Sequence, residues 1–345
     1  MVGMLDPRLL YSFSPALWET MRGTRPVLLH LWDGYIDAGL VSQALAEHLL
    51  STCRHELLVE FDHDQLHDYR GRRPRMIFDT DHFVSATQFS LRLLKMWDAT
   101  GKVFLLLTGR EPDLQWERAS TAITELIQRL DVRLVVSAYG IPMGVPHSRP
   151  TMITYHATRS DLLPRPNPMW IGRMEVPGGF GSFLELNLGK AGIDALSVGA
   201  NVPHYLAESR FYQAVLAALE SITTVTGLTL PAGGLYEAET ANNAEIAAEV
   251  ADSTEVQQVV SMLESQYDQQ ADGDLPSADE IGAELERFLH DESSKQEYRG
   301  PASATSADDV DRTDPGGADH PDAGGDADPG EPDTGDEPPG PESGR

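Results

Sequence analysis

The sequence predicts an α/β fold in which helices cover both faces of one central sheet. Short, almost uninterrupted apolar segments alternate along residues 27–225 with segments whose apolar residues recur every three to four positions. The first pattern is typical of strands buried on both faces, and the second of amphipathic helices. Because the two alternate, we expect a three-layer α/β sandwich, followed by a C-terminal helical arm and a disordered tail.

The first predicted elements are a strand, a turn and a helix. The apolar segment VLLHLW at 27–32 predicts the strand, and the Asp-Gly pair at 33–34 predicts the turn. Apolar residues at helical spacing then run through 40–49. Asp37 is placed to cap the first turn of this helix.

The middle of the chain continues the pattern. Residues 56–61 predict a second strand, and the polar stretch that follows predicts an irregular segment up to about residue 74. Two apolar segments on either side of the turn at 98–101 predict an antiparallel hairpin. A helix at about 113–130 then leads into a strand at 132–140, and the segment TMITYHA predicts one more strand.

Two further helices surround the last predicted strand. Ser182 and Glu185 have the spacing of a capping box for a helix at 183–191. The apolar segment 194–202 predicts a buried strand, and a helix at 208–225 closes the α/β domain.

The C-terminal third of the chain differs in composition. Three helical patterns between 237 and 290 have narrow apolar stripes and acidic opposite faces, so they must lie against the α/β domain or a partner. From residue 293 the chain is rich in Asp, Gly and Pro and poor in large apolar groups, which predicts disorder. The expected organisation is an α/β domain at 1–230, an acidic helical extension at 231–292 and a disordered acidic tail at 293–345.

Charge and cysteine content limit the possible partners and compartment. Residues 1–231 hold 24 acidic and 21 basic side chains, whereas residues 232–345 hold 30 and 5. This acidity repels phosphate, so we expect no nucleic-acid partner and no anionic membrane partner. The longest pure apolar segment, at 103–107, is too short to span a membrane.

Cys53 is the single cysteine and the N-terminal segment does not resemble a signal peptide, so we expect a cytoplasmic protein.

Five segments in a fixed order resemble a known family. They are LWDGYIDAGLVSQALAEHL (31–49), LLTGREPDLQWERASTAITEL (106–126), YGIPMGVPHSRP (139–150), PGGFGSFLELNLGKAGIDALSVGANVPHY (177–205) and LPSADEIGAELERFL (275–289). Together they resemble the proteasome assembly chaperone 2 family in its bacterial, actinobacterial form. The resemblance implies an α/β sandwich related to phosphorylase-like folds, self-association, and possible kinship with proteins that assist proteasome assembly.

The sequence Val-Pro-His occurs twice, each time after an apolar strand. In an open α/β sheet, ligands bind beyond the carboxyl ends of parallel strands, so the side chains there would form one pocket. The alternative is that each proline fixes an exit turn and each imidazole bonds a nearby carbonyl. The candidate pocket residues are Asp33, Asp37, Glu111, His147, Arg149, His204 and Tyr205.

A glycine-rich loop precedes the helix predicted at 183–191. Its backbone amides are available to an anion, as in phosphate-binding loops, but it lacks the Lys-Ser/Thr ending of a P-loop. The alternative is that the glycines permit close packing and the capping box accounts for the serine. The candidate anion-binding residues are Gly178, Gly179, Gly181 and Ser182.

Two polar segments have a functional and a structural interpretation. His63 and His67 have the spacing of a metal-binding pair, but such pairs on polar segments are mostly solvated, and we expect neither a metal site nor a cofactor. The basic run RGRRPR at 70–75 is either a dock for the acidic tail or a solvated loop.

These observations favour a non-enzymatic, chaperone-like interaction protein that forms homo-oligomers and binds a protein partner, with a link to proteasome assembly or quality control. Its expected mechanism is burial of the helical arm's apolar stripes in a partner groove. The chain ends PESGR, without the hydrophobic-Tyr-any tripeptide used by some assembly factors, so we do not expect docking by that route. The alternative is a ligase or transferase acting on a nucleotide or carboxylate with the candidate pocket residues.

Overall fold

A computed structural model of the chain describes residues 5–165 and 172–271. Their strands are β1 (Tyr11–Phe13), β2 (Val27–Asp33), β3 (His55–Phe61), β4 (Met76–Asp79), β5 (His82–Ala86), β6 (Leu91–Trp97), β7 (Val103–Arg110), β8 (Leu134–Met143), β9 (Ile153–Ala157) and β10 (Ala195–Pro203). Their α-helices are α1 (Pro15–Glu19), α2 (Val41–Thr52), α3 (His63–Leu66), α4 (Trp116–Arg129), α5 (Phe180–Lys190), α6 (Tyr212–Thr226), α7 (Gly233–Ala251) and α8 (Thr254–Ala271).

Eight of these strands form one mixed sheet in the order β1-β3-β6-β7-β2-β8-β10-β9. The four central strands β7, β2, β8 and β10 are parallel, and the flanking pairs are antiparallel. Strands β4 and β5 form a separate two-stranded ribbon. The antiparallel hairpin expected around the turn at 98–101 is confirmed as β6 and β7.

Helices pack on both faces of the sheet, which confirms the predicted three-layer α/β sandwich. Helices α2, α6 and α7 bury their apolar residues on one face, and α4 and α5 bury theirs on the other. The central strands are buried on both sides because each faces a helical layer, and β10 is buried along its whole length. Both layers belong to the unit that spans residues 1–291.

The start of α5 differs from the prediction. The helix begins at Phe180, so Ser182 is already its third residue and makes no cap hydrogen bond. Glu185 points to the sheet instead of back to the first turn, where it accepts hydrogen bonds from His156 and Ser197. The predicted capping box is therefore wrong, because tertiary partners take the carboxylate. The other cap prediction is confirmed, since the Asp37 carboxylate accepts the amides of Ser42 and Gln43.

The segment expected to be irregular after β3 contains the short helix α3, capped by the Asp62 carboxylate. Sequence reasoning also assigned nothing to the β4–β5 ribbon at 76–86. The capping pair Ser277 and Glu280 and the proposed tail lie outside the described residues, and the boundaries at 230 and 292 stay a prediction.

None of the helices within the described ranges combines the length and apolar character needed to cross a membrane.

The acidic helices α7 and α8 pack against their own chain. Leu235 and Ile246 of α7 join the core on the side of α2 and α6, and Val260 and Leu263 of α8 are buried. The expectation that these stripes serve a partner groove is therefore wrong for α7 and α8.

Strand β8 passes unusually close to the turn that leads into α2. A Cβ placed on Gly140 would lie 1.8 Å from the carbonyl oxygen of Ala38. We expect Gly140→Ala to lower the free energy of unfolding by about 1–3 kcal/mol, because backbone atoms on both sides must shift. Urea unfolding measures this change. Gly233→Ala is the control, since open space surrounds Gly233; an equal effect of both substitutions would contradict the close approach.

Candidate functional site

A row of polar side chains crosses four neighbouring strands of the otherwise apolar sheet. His30 of β2 is in register with Ser137 of β8, Ser137 with Ser197 of β10, and Ser197 with His156 of β9. His30, Ser137 and Ser197 are buried. Because residues in lateral register point to the same face of a sheet, the four side chains form one continuous polar strip under α5.

Glu185 of α5 lies on this strip and accepts its hydrogen bonds. Its carboxylate accepts from Ser197 Oγ at 2.5 Å and lies 2.8 Å from His156 Nδ1. Ser137 Oγ donates to Ser197 Oγ at 2.6 Å, so the chain of hydrogen bonds continues to β8. Burial opposes ionisation, but the hydrogen bonds from His156 and Ser197 outweigh it and lower the pKa of Glu185. The carboxylate is therefore ionised at neutral pH.

His156 connects Glu185 to a tyrosine. Its Nε2 lies 2.7 Å from the hydroxyl of Tyr139, while its Nδ1 faces Glu185. With Nδ1 protonated and donating to the carboxylate, Nε2 accepts from the tyrosine hydroxyl. Burial, reinforced by the charge of Glu185, raises the pKa of Tyr139, so this phenol stays protonated.

His30 and Trp32, on the same strand, bring unpartnered nitrogens into this region. His30 is 4 % exposed and Trp32 is 8 % exposed. Neither His30 Nδ1 nor Trp32 Nε1 has a hydrogen-bond partner among the residues that the structure describes. Burial lowers the pKa of His30 to about 4, so its ring is neutral at neutral pH.

Glu111, which follows β7, occupies the N-terminus of α5. Its carboxylate accepts the backbone amide of Phe180 and, at 2.6 Å, the amide of Tyr35. A carboxylate is favoured there because the first amides of a helix have no partner within the helix. The proposed anion-binding loop therefore faces an anionic group of its own chain.

These groups line a small cleft of about 50 Å³ that opens to solvent. It lies between the start of α5, residues 30–32 of β2 and residues 137–139 of β8. Its lining is His30, Trp32, Gly34, Tyr35, Ile36, Ser42, Glu111, Ser137, Ala138, Tyr139, His156, Gly179, Gly181, Ser182, Glu185 and Ser197.

Of the seven candidate pocket residues, Glu111 is the one that lines this cleft. Asp33 forms a salt bridge with Arg110, with 2.7 Å between Nη2 and Oδ2. Asp37 lies beneath the start of α2, where its Oδ1 also receives the amide of Gly140 at 3.2 Å. Burial raises the pKa of Asp37 to about 6, although three backbone amides act in the opposite direction.

The other four candidates lie together beside α8. Tyr205 joins the two histidines of the repeated Val-Pro-His sequence, because its hydroxyl lies 2.8 Å from His147 Nδ1 and its ring contacts the ring of His204. Arg149 forms a two-bond salt bridge with Asp268 of α8 at 2.7 and 2.8 Å. The structure thus places the candidate residues in separate environments, with Arg149 engaged by a carboxylate of its own chain.

The two polar segments considered from sequence have structural partners as well. Both ring nitrogens of the buried His67 lie 3.2 Å from backbone carbonyl oxygens, those of His63 and Arg110. Within residues 5–165 and 172–271, no group of three or more potential ligands is arranged to hold a metal ion. In the basic run, Arg72 pairs with Asp113 at 3.1 Å.

The sequence did not lead us to predict the polar row, nor that Glu185 accepts hydrogen bonds from two of its residues. The available signal was a lone polar residue inside each apolar segment: His in VLLHLW, Ser in LVVSA and Ser in ALSVGA. A buried polar side chain needs a partner, so each of these positions implied a hydrogen bond within the core.

Comparison with known proteins identifies the family. A model of the PAC2 family matches residues 31–251, and the chain belongs to this family. A search of curated proteins gives no match.

Several solved structures share this fold. A Mycobacterium tuberculosis protein of unknown function is 37 % identical, with a TM-score of 0.71 over 79 % of this chain and 94 % of the other. A Corynebacterium glutamicum protein of unknown function is 31 % identical, with a TM-score of 0.70 over 76 % and 98 %. A Mycobacterium tuberculosis proteasome-assembly chaperone homologue is 24 % identical, with a TM-score of 0.62 over 68 % and 99 %.

The neutral state of His30 predicts a dependence of stability on pH. An unfolded histidine takes up a proton near pH 6.5, whereas the folded chain protonates His30 only at about pH 4. Between these values the unfolded state binds more protons, so acidification lowers the free energy of unfolding, by about 3 kcal/mol in total from this residue. We expect His30→Gln to remove this contribution in denaturant titrations between pH 6.5 and 4.

Asp37 acts in the opposite direction over part of this range, because its folded-state pKa is raised and its protonation favours the folded state. The difference between the wild-type and His30→Gln curves therefore isolates His30. His82→Gln, at an exposed position of the ribbon, is the control. A difference curve for His30→Gln that is flat from pH 6.5 to 4 would contradict the neutral, buried assignment.

Proposed function

We propose that this chain is a protein-interaction module without catalytic activity, and that it assembles with further copies of itself through the ribbon formed by β4 and β5. The observation that carries the proposal is the exposure of the ribbon's apolar side chains. Five of them are between 50 % and 62 % exposed: Met76, Ile77, Phe78, Phe83 and Val84.

An isolated ribbon with these exposed apolar side chains is energetically unfavourable in a monomeric chain in water. Two-stranded hairpins are marginally stable by themselves, and this one is not hydrogen-bonded to the main sheet. Every residue of β4 and β5 is exposed, and the main contact within the ribbon is between the rings of Phe78 and Phe83, 5.0 Å apart. Exposed apolar side chains grouped on one ribbon mark a site of protein association.

Charge favours a second copy as the occupant. Exposed Arg70, Arg73 and Arg75 precede the ribbon and have no side-chain partner within the described part of the chain, whereas Asp79 and Asp81 lie at its turn. A second copy placed head to tail would bring its own Asp79 and Asp81 to these arginines. Opposite charges at the two ends of an apolar surface would fix the orientation of the association.

Membership of the PAC2 family supports a further protein partner, and we extend the proposal to a chaperone-like role in proteasome assembly or protein quality control. Since α7 and α8 bury their apolar stripes within their own chain, this partner would bind elsewhere.

The enzymatic alternative has less structural support. A nucleotide or carboxylate would require a free cation, but Arg149 is held by Asp268 and Glu264. Of the acidic candidate pocket residues, Asp37 is buried against backbone amides and Asp33 is paired with Arg110. The geometry therefore does not gather the proposed acid, base and anion-holding groups around one substrate.

Self-association through the ribbon is tested by light scattering after gel filtration of the full chain. We expect a mass at least twice that of one chain, which is 37.8 kDa. Ile77→Asp should weaken association at least tenfold, because an unpaired charge would be buried in the contact, and it leaves the Phe78–Phe83 pair intact. An unchanged melting temperature would show that the fold is retained.

Met262→Asp is the matched control, because Met262 is 53 % exposed on α8, away from the ribbon. It should leave the mass unchanged. A monomeric wild-type chain at micromolar concentration, or an Ile77→Asp variant that associates as strongly as the wild type, would contradict the proposal.

A further inference from the structure

We propose that the cleft under the start of α5 binds a compact organic cation that also has an acceptor oxygen. The cationic nitrogen lies among the carboxylates and aromatic rings of the cleft, and the oxygen accepts a hydrogen bond from Trp32 Nε1. This binding site is independent of the ribbon and of self-association.

The charges of the cleft select against anions. Glu111 and Glu185 both line it, and none of the described lining residues is a lysine or an arginine. The carboxylate of Glu111 is bonded by two uncharged backbone amides and keeps unused acceptor positions. A buried carboxylate is stabilised by a cation, so a positively charged ligand is favoured over a neutral or anionic one.

Aromatic rings complete the environment for a cation. Trp32, Tyr35 and Tyr139 all line the cleft. An organic ammonium group is attracted to the faces of such rings, most strongly to tryptophan, and the attraction grows when the site is desolvated. Tyr35 is largely exposed at the mouth, whereas Trp32 is buried inside, so rings are present from the entrance to the interior.

The unpartnered nitrogens indicate that the ligand also carries a hydrogen-bond acceptor. Buried polar groups in proteins nearly always have a hydrogen-bond partner. Trp32 Nε1 can only donate, so its missing partner is an acceptor such as a hydroxyl or carbonyl oxygen. His30 Nδ1 is buried beside it, with the two rings 5.1 Å apart, and can donate or accept according to its tautomer.

Gly181 lies next to the nitrogen that this oxygen would contact. A Cβ at this position would lie 3.2 Å from Trp32 Nε1 and 3.7 Å from His30 Cε1. Residue 181 therefore lies against the indole nitrogen, and the absence of a side chain keeps this atom from being crowded further. A methyl group there would occupy the ligand's position, while alanine is otherwise the better residue for a helix.

The test uses three small probes of nearly equal size: ethanolamine as its cation, ethylene glycol and glycolate. The full chain is labelled with ¹⁵N-tryptophan, which gives one indole signal for each of its five tryptophans. The signal of Trp32 is assigned by its loss in Trp32→Phe. We expect millimolar ethanolamine to shift the Trp32 signal in a saturable manner, and glycolate and ethylene glycol to bind at least tenfold more weakly.

Gly181→Ala should weaken ethanolamine binding at least tenfold, while Gly233→Ala, in α7, should leave it unchanged. The proposal is overturned if glycolate or ethylene glycol shifts the Trp32 signal as strongly as ethanolamine does. It is equally overturned if ethanolamine gives no saturable shift, or if Gly181→Ala binds it as the wild type does.

Discussion

Two carboxylates, the buried Glu111 and the partly buried Glu185, determine where α5 lies, and the cleft exists because of that placement. Glu111 reaches from the end of β7 to the first amide of the helix, and Glu185 reaches from the helix to the polar row on the sheet. Burial of a carboxylate is costly unless hydrogen bonds compensate, so each of these groups requires its particular donors. The first turn of α5 is thereby fixed over the ends of β2 and β8, and the space between them is polar.

The interaction surface and the cleft are built from different parts of the chain. The ribbon of β4 and β5 is inserted between β3 and β6 and lies outside the main sheet. The cleft depends on the parallel centre of the sheet and on α5. Helix α8 holds the loop that follows β8. Arg149 of this loop pairs with Asp268, and the hydroxyl of Tyr267 donates to the carbonyl of Pro150 at 2.9 Å.

The fold was largely predictable because its signals are local. Apolar segments such as 27–32 and 103–107 became central strands, and Asp37 caps α2 as its spacing predicts. The ribbon at 76–86 was missed because its apolar side chains face solvent, so burial does not impose a pattern on them. The start of α5 was misplaced because Glu185 has the spacing of a local cap but serves a contact with residues distant in sequence.

The candidate site was less predictable, because it depends on strand register. Nothing local aligns His30, Ser137, Ser197 and His156; they form a row because β2, β8, β10 and β9 pair with particular offsets. A one-residue shift in any pair would turn its side chain to the other face. Sequence could show that each polar residue needs a buried partner, but not that these partners are one another.

Native-state hydrogen exchange of the α5 amides tests most directly whether these carboxylates hold the helix. In Glu111→Ala the amides of Tyr35 and Phe180 lose their acceptor, so we expect exchange across α5 to be at least tenfold faster than in the wild type. Protection of α4, on the same face of the sheet, should stay within twofold, because local opening need not involve the whole domain. Unchanged protection of α5, or an equal loss across α4 and α5, would contradict it.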